Sequence, residues 1–113
     1  MDVYYNPQNF GLTVMGDVNW EYEDYSFDFT AVWKHENGSF YMGRDSGCSC
    51  PSPFEYVDSL DKLNGPLSVW EVITELNSTV ESEFGDPEYI NAENYASVIA
   101  QVGELSVRLL NNR

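Results

Sequence analysis

The sequence predicts an α+β fold in which a three-stranded antiparallel meander is packed on one face by two C-terminal helices. Two observations predict it. Between Leu12 and Tyr41, apolar residues alternate with polar ones at a period of two, which is typical of strands with one buried face. After Ser68 the apolar spacing becomes helical almost to the C-terminus. We therefore expect a single domain over residues 1–113.

The first two strands are predicted to form a hairpin. Val18 and Trp20 belong to the first alternating run, and Phe27 and Phe29 belong to the second. A two-residue loop at Glu23-Asp24 would pair Val18 with Phe29 and Trp20 with Phe27. This register places the four apolar side chains on one face of the sheet.

A second hairpin is predicted at Asn37-Gly38, because this dipeptide strongly favours a two-residue turn. Such a turn pairs Trp33 with Met42 in the third strand. Taken together, the two registers predict that Trp20, Phe27 and Trp33 share one buried face.

Two helices are predicted in the last part of the chain. Ser68-Val69-Trp70-Glu71 matches a capping box, and Gly85-Asp86-Pro87 ends the helix that follows it. The second helix is expected to begin near Asn91. Trp70 lies beside the apolar stripe of the first helix, so it either covers the sheet edge or is an exposed anchor for a partner.

The charge balance is strongly one-sided. Nineteen Asp and Glu residues stand against five Lys and Arg residues, which gives a formal net charge of −14. At long range such a chain repels nucleic acids and anionic membranes and attracts basic surfaces. We therefore expect a partner protein with a basic surface, and neither direct nucleic-acid binding nor membrane binding.

The sequence shows no segment typical of export or membrane insertion. No apolar run approaches the roughly 18 residues of a membrane-spanning helix. Met1-Asp2-Val3-Tyr4 has neither the basic region nor the apolar run of a signal peptide. We therefore expect a cytoplasmic protein whose thiols are reduced.

The predicted sheet has an acidic outer face that is a candidate partner-binding surface. The alternation points Asp17, Glu21 and Asp28 away from the aromatic face, and Glu23 and Asp24 lie at its tip. Such a row of carboxylates suits a basic protein surface. The alternative interpretation is a solvated outer face without a partner.

Cys48 and Cys50 form a second candidate site. Two thiols can bind zinc, but a closed structural site needs four ligands, and His35 and Asp45 are the candidates to complete it. The alternative is a tight loop, turned at Gly47, whose cysteines fill space between sheet and helices. Beyond this zinc hypothesis we expect no cofactor.

Enzyme motifs fit the sequence poorly. It contains no phosphate-binding loop, no dinucleotide fingerprint and no H-E-x-x-H segment, and its single histidine, His35, falls on the predicted apolar face. A nucleophilic Cys48 or Cys50 would need the fold to bring His35 close. We therefore predict no catalytic residues.

The segment DSGCSCPSPFE, residues 45–55, resembles a family of small uncharacterised proteins encoded by bacteriophages of actinobacteria. Val3-Tyr4-Tyr5-Asn6-Pro7 and the strand containing Tyr25, Phe27 and Phe29 are similar too. The resemblance implies a phage gene product that acts in the cytoplasm of a bacterial host. Small acidic phage proteins often bind and inhibit host proteins, but the resemblance assigns no activity to any residue.

These patterns favour a function in protein–protein interaction, such as inhibition of a host factor with a basic surface. The alternative is a metal- or small-ligand-binding protein centred on the loop of Cys48 and Cys50. The patterns predict neither the partner nor the oligomeric state.

Overall fold

A computed structural model describes residues 3–20, 26–48, 54–86 and 91–113, with only the backbone described at Ser26 and Cys48. Within those ranges the chain forms four strands and two α-helices. They are β1 (Leu12–Asn19), β2 (Ser26–His35), β3 (Phe40–Cys48), β4 (Asn64–Leu67), α1 (Val69–Phe84) and α2 (Ala92–Asn111). Short 3₁₀ helices cover Pro7–Phe10 and Leu60–Lys62.

The four strands form one antiparallel sheet in the order β1-β2-β3-β4. The α+β fold with an antiparallel meander is confirmed, but the predicted strand number of three is wrong. The sequence does not predict β4, because three of its residues, Asn64, Gly65 and Pro66, are of types depleted in strands. Its pairing with β3, in which Leu67 faces Phe40, shows the strand instead.

Both predicted helices are confirmed. The Ser68 hydroxyl oxygen accepts a hydrogen bond from the Glu71 N–H at 3.2 Å, and the Glu71 carboxylate accepts one from the Ser68 N–H at 3.0 Å. At the start of α2, the Asn91 side chain accepts a bond from the Asn94 N–H at 3.1 Å. Each helix buries a stripe of apolar residues: Val69, Val72, Leu76 and Val80 in α1, and Val98, Val102, Leu105 and Leu109 in α2.

The register of the first hairpin differs from the predicted one by one residue. The pairing of β1 with β2 shifts at Met15, which forms a β-bulge. Val18 therefore pairs with Thr30, where the predicted register pairs it with Phe29. Because side chains alternate between faces, this shift places Val18 and Trp20 on the face opposite Phe29.

The loop of the second hairpin is one residue longer than predicted. Trp33 pairs with Tyr41 and not with Met42, so the loop contains one residue more than an Asn37-Gly38 turn. Gly38 adopts a φ of 94°, a conformation that glycine reaches without steric cost. The predicted hairpin is therefore present, but its register is not the predicted one.

Both faces of the sheet are buried. The face covered by α1 and α2 contributes the side chains of Val18, Trp20, Val32, Phe40 and Met42. The other face is covered by the N-terminal segment and residues 54–63, and it contributes Leu12, Phe29, Ala31, Trp33 and Tyr41. The prediction that Trp20 shares a face with Phe27 and Trp33 is thus wrong, because β2 carries buried apolar residues at both parities.

Candidate functional site

Asp17 lies on the sheet face opposite α1 and α2, where it pairs with Ala31 of β2. Burial raises the pKa of the Asp17 carboxyl above its ordinary value of 3.8, and the Arg108 guanidinium partly offsets this increase. Burial also raises the pKa of Tyr4, and the nearby Asp17 charge adds to that effect. Asp17 therefore belongs to a partly buried setting with Tyr4 and Arg108.

Asp28 lies on the face that the helices cover, and it is held by Arg44. The Arg44 Nε atom donates to Asp28 Oδ1 at 2.9 Å, and Nη2 donates to Asp28 Oδ2 at 2.8 Å. The same Nη2 atom donates to Glu83 Oε1 at 2.8 Å, which links the sheet to the end of α1. The guanidinium carbon lies 5.5 Å from the centroid of the Trp20 ring. The Asp28 bond is the largest of the effects that raise the pKa of Arg44.

These positions contradict the prediction of one acidic sheet face. Asp17 and Asp28 point to opposite faces of the sheet, and Asp28 is neutralised by Arg44. The cause is the bulge at Met15, which changes the parity of β1 relative to β2. Glu21, Glu23 and Asp24 lie outside the described residues, so their role in partner binding stays a prediction.

The cysteine site lies largely outside the described residues, since they include neither Cys50 nor the Cys48 side chain. Asp45, proposed above as a ligand, has another role: its carboxylate accepts from the Ser46 N–H at 2.9 Å and the Phe54 N–H at 2.7 Å. Within the described ranges no group of three His, Cys, Asp or Glu side chains is placed to hold a metal ion. The zinc hypothesis stays a prediction.

Phe54, the first described residue after Cys48, anchors the following part of the chain to the sheet. The residue is 2% exposed, and its ring centroid lies 5.3 Å from Trp33, 5.5 Å from Phe29 and 5.8 Å from Tyr4. Its φ of 59° is uncommon for a residue with a side chain. The Asp45 bond to its N–H and the packing of its ring hold this conformation together.

All five lysine and arginine side chains contact another part of the chain. The contacts are Arg44 with Asp28 and Glu83, Lys62 with Asp58, Lys34 with the Asn112 carbonyl, Arg108 with the Met15 carbonyl, and Arg113 with the Trp70 ring. The cations are therefore engaged within the chain, while the net charge is −14. The carboxylates outnumber the cations by nineteen to five.

A cleft runs between α1 and the β3–β4 side of the sheet, and we call it the α1 cleft. It consists of two adjoining hollows of about 270 and 360 Å³ that share Asn64 and Glu75. The inner hollow is lined by Thr30, Met42, Gly43, Arg44, Asn64, Glu75 and Thr79. The outer hollow is lined by Asn64, Leu67, Trp70, Glu71, Thr74 and Glu75.

The α1 cleft combines an exposed aromatic ring with carboxylates. Trp70 is 59% exposed, although tryptophan is usually largely buried. Glu71 also closes the capping box of α1, whereas Glu75 lines both hollows and lies on the exposed part of the helix. The sequence pattern indicates Trp70 but neither Glu75 nor Asn64, because only the folded chain brings these two residues to the same cleft.

The chain matches a protein family over most of its length. The family described as "Domain of unknown function (DUF7574)" matches residues 1–108. The chain belongs to this family. The match covers every element of the DUF7574 fold described above except the last residues of α2. No curated protein and no solved structure matches the chain.

The DUF7574 family description assigns no activity. In the part of the DUF7574 chain that the structure describes, no helix is long and apolar enough to cross a membrane. The features with clear chemical character are the carboxylate excess and the α1 cleft with its exposed Trp70.

Proposed function

We propose that this chain is a binding protein whose partner is a protein with a basic surface. One observation carries the proposal: the five cationic side chains are engaged within the chain, whereas the net charge is −14. The remaining carboxylates attract a basic surface over a distance of about one Debye length, roughly 8–10 Å in physiological salt. Neutralising them in a complex relieves the self-repulsion of the free chain.

The nature of the partner follows from the same charge. A polyanion such as nucleic acid is repelled, so the partner that suits this surface is a basic protein. The resemblance of the DSGCSCPSPFE segment to small actinobacteriophage proteins suggests a phage-encoded chain acting in the host cytoplasm. We therefore propose that the partner is a host protein and that binding inhibits it.

The proposal is tested by capture from an actinobacterial lysate at low and high salt, followed by purification of the captured protein. The dissociation constant of the purified pair is then measured between about 0.05 and 0.5 M NaCl, where screening changes strongly. We expect a basic partner whose affinity falls steeply with salt. An acidic partner, or an affinity that does not depend on salt, would contradict the proposal.

The carboxylates at the predicted hairpin tip can be tested against the same purified partner. A variant carrying Glu21→Gln, Glu23→Gln and Asp24→Asn removes three negative charges from this segment. Weaker binding places the segment in the contact. Unchanged affinity removes it from the contact and leaves the rest of the carboxylate surface as the binding surface.

A further inference from the structure

The geometry of the α1 cleft points to one kind of occupant. We propose that the cleft docks an extended segment of the partner that carries lysine or arginine side chains. This inference rests on the proposed function, because it specifies where and through which chemical groups the basic partner is bound.

The shape of the cleft suits an extended segment. Its two hollows, of about 360 and 270 Å³, adjoin at Asn64 and Glu75. In an extended chain, side chains two residues apart point the same way and are separated by about 6.5–7 Å. One segment can therefore place two neighbouring side chains of the same parity into the two hollows.

The outer hollow suits the stem and the charged end of a long cationic side chain. Leu67 and Trp70 provide apolar surface, and Glu71 and Glu75 provide negative charge. The Trp70 ring already contacts a guanidinium within the chain, since the Arg113 Cζ atom lies 5.9 Å from its centroid, and the incoming side chain replaces Arg113 in this contact. A cation–π contact of this kind is worth about 0.5–1 kcal/mol at exposed sites.

The inner hollow also accepts a cation, although Arg44 lines it. Arg44 is bonded at 2.8–2.9 Å to the carboxylate of Asp28 and at 2.8 Å to that of Glu83. The lining itself carries one positive charge, on Arg44, and one negative charge, on Glu75. Asp28 and Glu83 bind Arg44 from outside the lining, and their two carboxylates more than offset its charge. An incoming lysine or arginine therefore meets a net negative charge around this hollow.

The experiment selects binders from a displayed library of random peptides, about twelve residues long, against the whole protein. The winning sequence is synthesised and its affinity measured by calorimetry. We expect lysine or arginine at alternate positions. We also expect Trp70→Ala and Glu75→Gln to weaken the peptide by about tenfold or more, as hot-spot residues do. Tyr56→Ala and Glu81→Gln are matched controls outside the cleft, and they should change affinity by less than about twofold.

The three indole N–H signals in an NMR spectrum add an internal control. Trp20 Nε1 donates to Thr30 Oγ1 at 2.8 Å and Trp33 Nε1 donates to the Val3 carbonyl oxygen at 3.1 Å, both in buried positions. Trp70 is the exposed one of the three. We expect titration with the peptide to shift the Trp70 signal while the Trp33 signal stays in place. The Trp20 signal is not a control, because its partner Thr30 lines the inner hollow.

The outcomes separate this inference from the proposed function. Selection that returns no basic consensus, or a consensus peptide that binds all four variants equally, overturns the cleft as the docking site. A purified partner that binds in a salt-dependent manner, but equally to Trp70→Ala and wild type, also overturns the cleft and leaves the proposed function standing. A partner without salt dependence overturns the proposed function itself.

Discussion

Gln101 of α2 bonds to both backbone groups of Asn19 at the edge of the sheet. Its Oε1 atom accepts from the Asn19 N–H at 2.7 Å, and its Nε2 atom donates to the Asn19 carbonyl oxygen at 3.2 Å. Seven residues away on either side, Asn94 donates to the Trp20 carbonyl at 3.0 Å and Arg108 donates to the Met15 carbonyl at 2.7 Å. Two helical turns separate these side chains, so α2 presents a polar stripe that seals the outer edge of β1.

Replacing Gln101 with alanine should therefore destabilise the fold and open this edge. The backbone of Asn19 loses both bonds to the Gln101 side chain, and because these bonds are exposed to water the cost is the net value of an ordinary hydrogen bond, about 0.5–1.5 kcal/mol. We expect a loss in this range, measured as a lower urea midpoint with an unchanged m-value. An opened edge also favours pairing between chains, which light scattering detects.

Val107→Ala is the control for the Gln101 variant, because it lies on the same helix with its side chain 59% exposed. It should leave the free energy of unfolding within about 0.5 kcal/mol of wild type. Equal stability of Gln101→Ala and Val107→Ala would show that water replaces the amide and that the polar stripe has no energetic role.

The elements of this fold that could be predicted from the sequence are those with local signals. The Ser68 cap and the apolar stripe of α1 are encoded within a few residues, and both are confirmed. β4 could not be predicted in this way. Its four residues carry no alternation, and the strand exists because Leu67 and Asn64 pair with β3.

The candidate site depends on register, which is not a local property. One bulged residue, Met15, changes the face on which Val18 lies and places Asp17 and Asp28 on opposite sides of the sheet. Three consecutive apolar residues of β2, Ala31, Val32 and Trp33, are all fully buried, and this unbroken run was the signal that β2 is covered on both faces. Glu75 enters the α1 cleft only through tertiary packing, so no motif indicates it.

Two glycines should respond in opposite ways to an added methyl group. A Cβ atom at Gly16 would lie 2.7 Å from Arg108 Nη1 and 2.9 Å from Leu105 Cδ1, so the ends of these two side chains must shift. The φ of 154° at Gly16 is also one that residues with a side chain rarely adopt. A Cβ atom at Gly103, inside α2, meets nothing within 4 Å. We expect Gly16→Ala to cost about 1–3 kcal/mol and Gly103→Ala to stabilise by about 0.5–1 kcal/mol.

Thermal unfolding of the two variants checks this pair. The melting temperature should fall for Gly16→Ala and rise for Gly103→Ala by a few degrees, at about 4–8 °C per kcal/mol for a domain near this size. A fall for Gly103→Ala would mean that this helix face is covered by something in the folded protein. No change for Gly16→Ala would show that Arg108 adjusts without loss.

Asp45 should matter more to stability than its exposure suggests. Its carboxylate accepts hydrogen bonds from the N–H groups of Ser46 and Phe54. The second bond holds the Phe54 backbone at its positive φ, and the ring of Phe54 is buried. We expect Asp45→Ala to lower the free energy of unfolding by about 1–3 kcal/mol in urea titrations. Glu55→Ala removes the same charge next to Phe54 and serves as the control. If both variants lose the same free energy of unfolding, the effect of Asp45 comes from its charge and not from its hydrogen bonds.

Asp17 should make the fold less stable as its carboxyl ionises. Burial raises its folded-state pKa above 3.8, so the folded chain binds the proton more tightly than the unfolded chain does. The loss of stability caused by ionising Asp17 is absent below pH 3.8 and is fully present once the pH exceeds the raised pKa of the folded state. Asp17→Asn removes it, so its melting temperature should match wild type near about pH 3 and exceed it near about pH 7.

Asp58→Asn is the counterpart with the opposite sign, because the Lys62 hydrogen bond lowers the pKa of Asp58. The stability that ionised Asp58 gains from Lys62 is present above pH 3.8 and is lost as the pH falls through the lowered pKa. The Asp58 variant should therefore melt below wild type at neutral pH and converge with it in acid. If Asp17→Asn behaves in the same way, the attraction of Arg108 for the Asp17 charge outweighs the cost of burying it, and ionised Asp17 stabilises the fold.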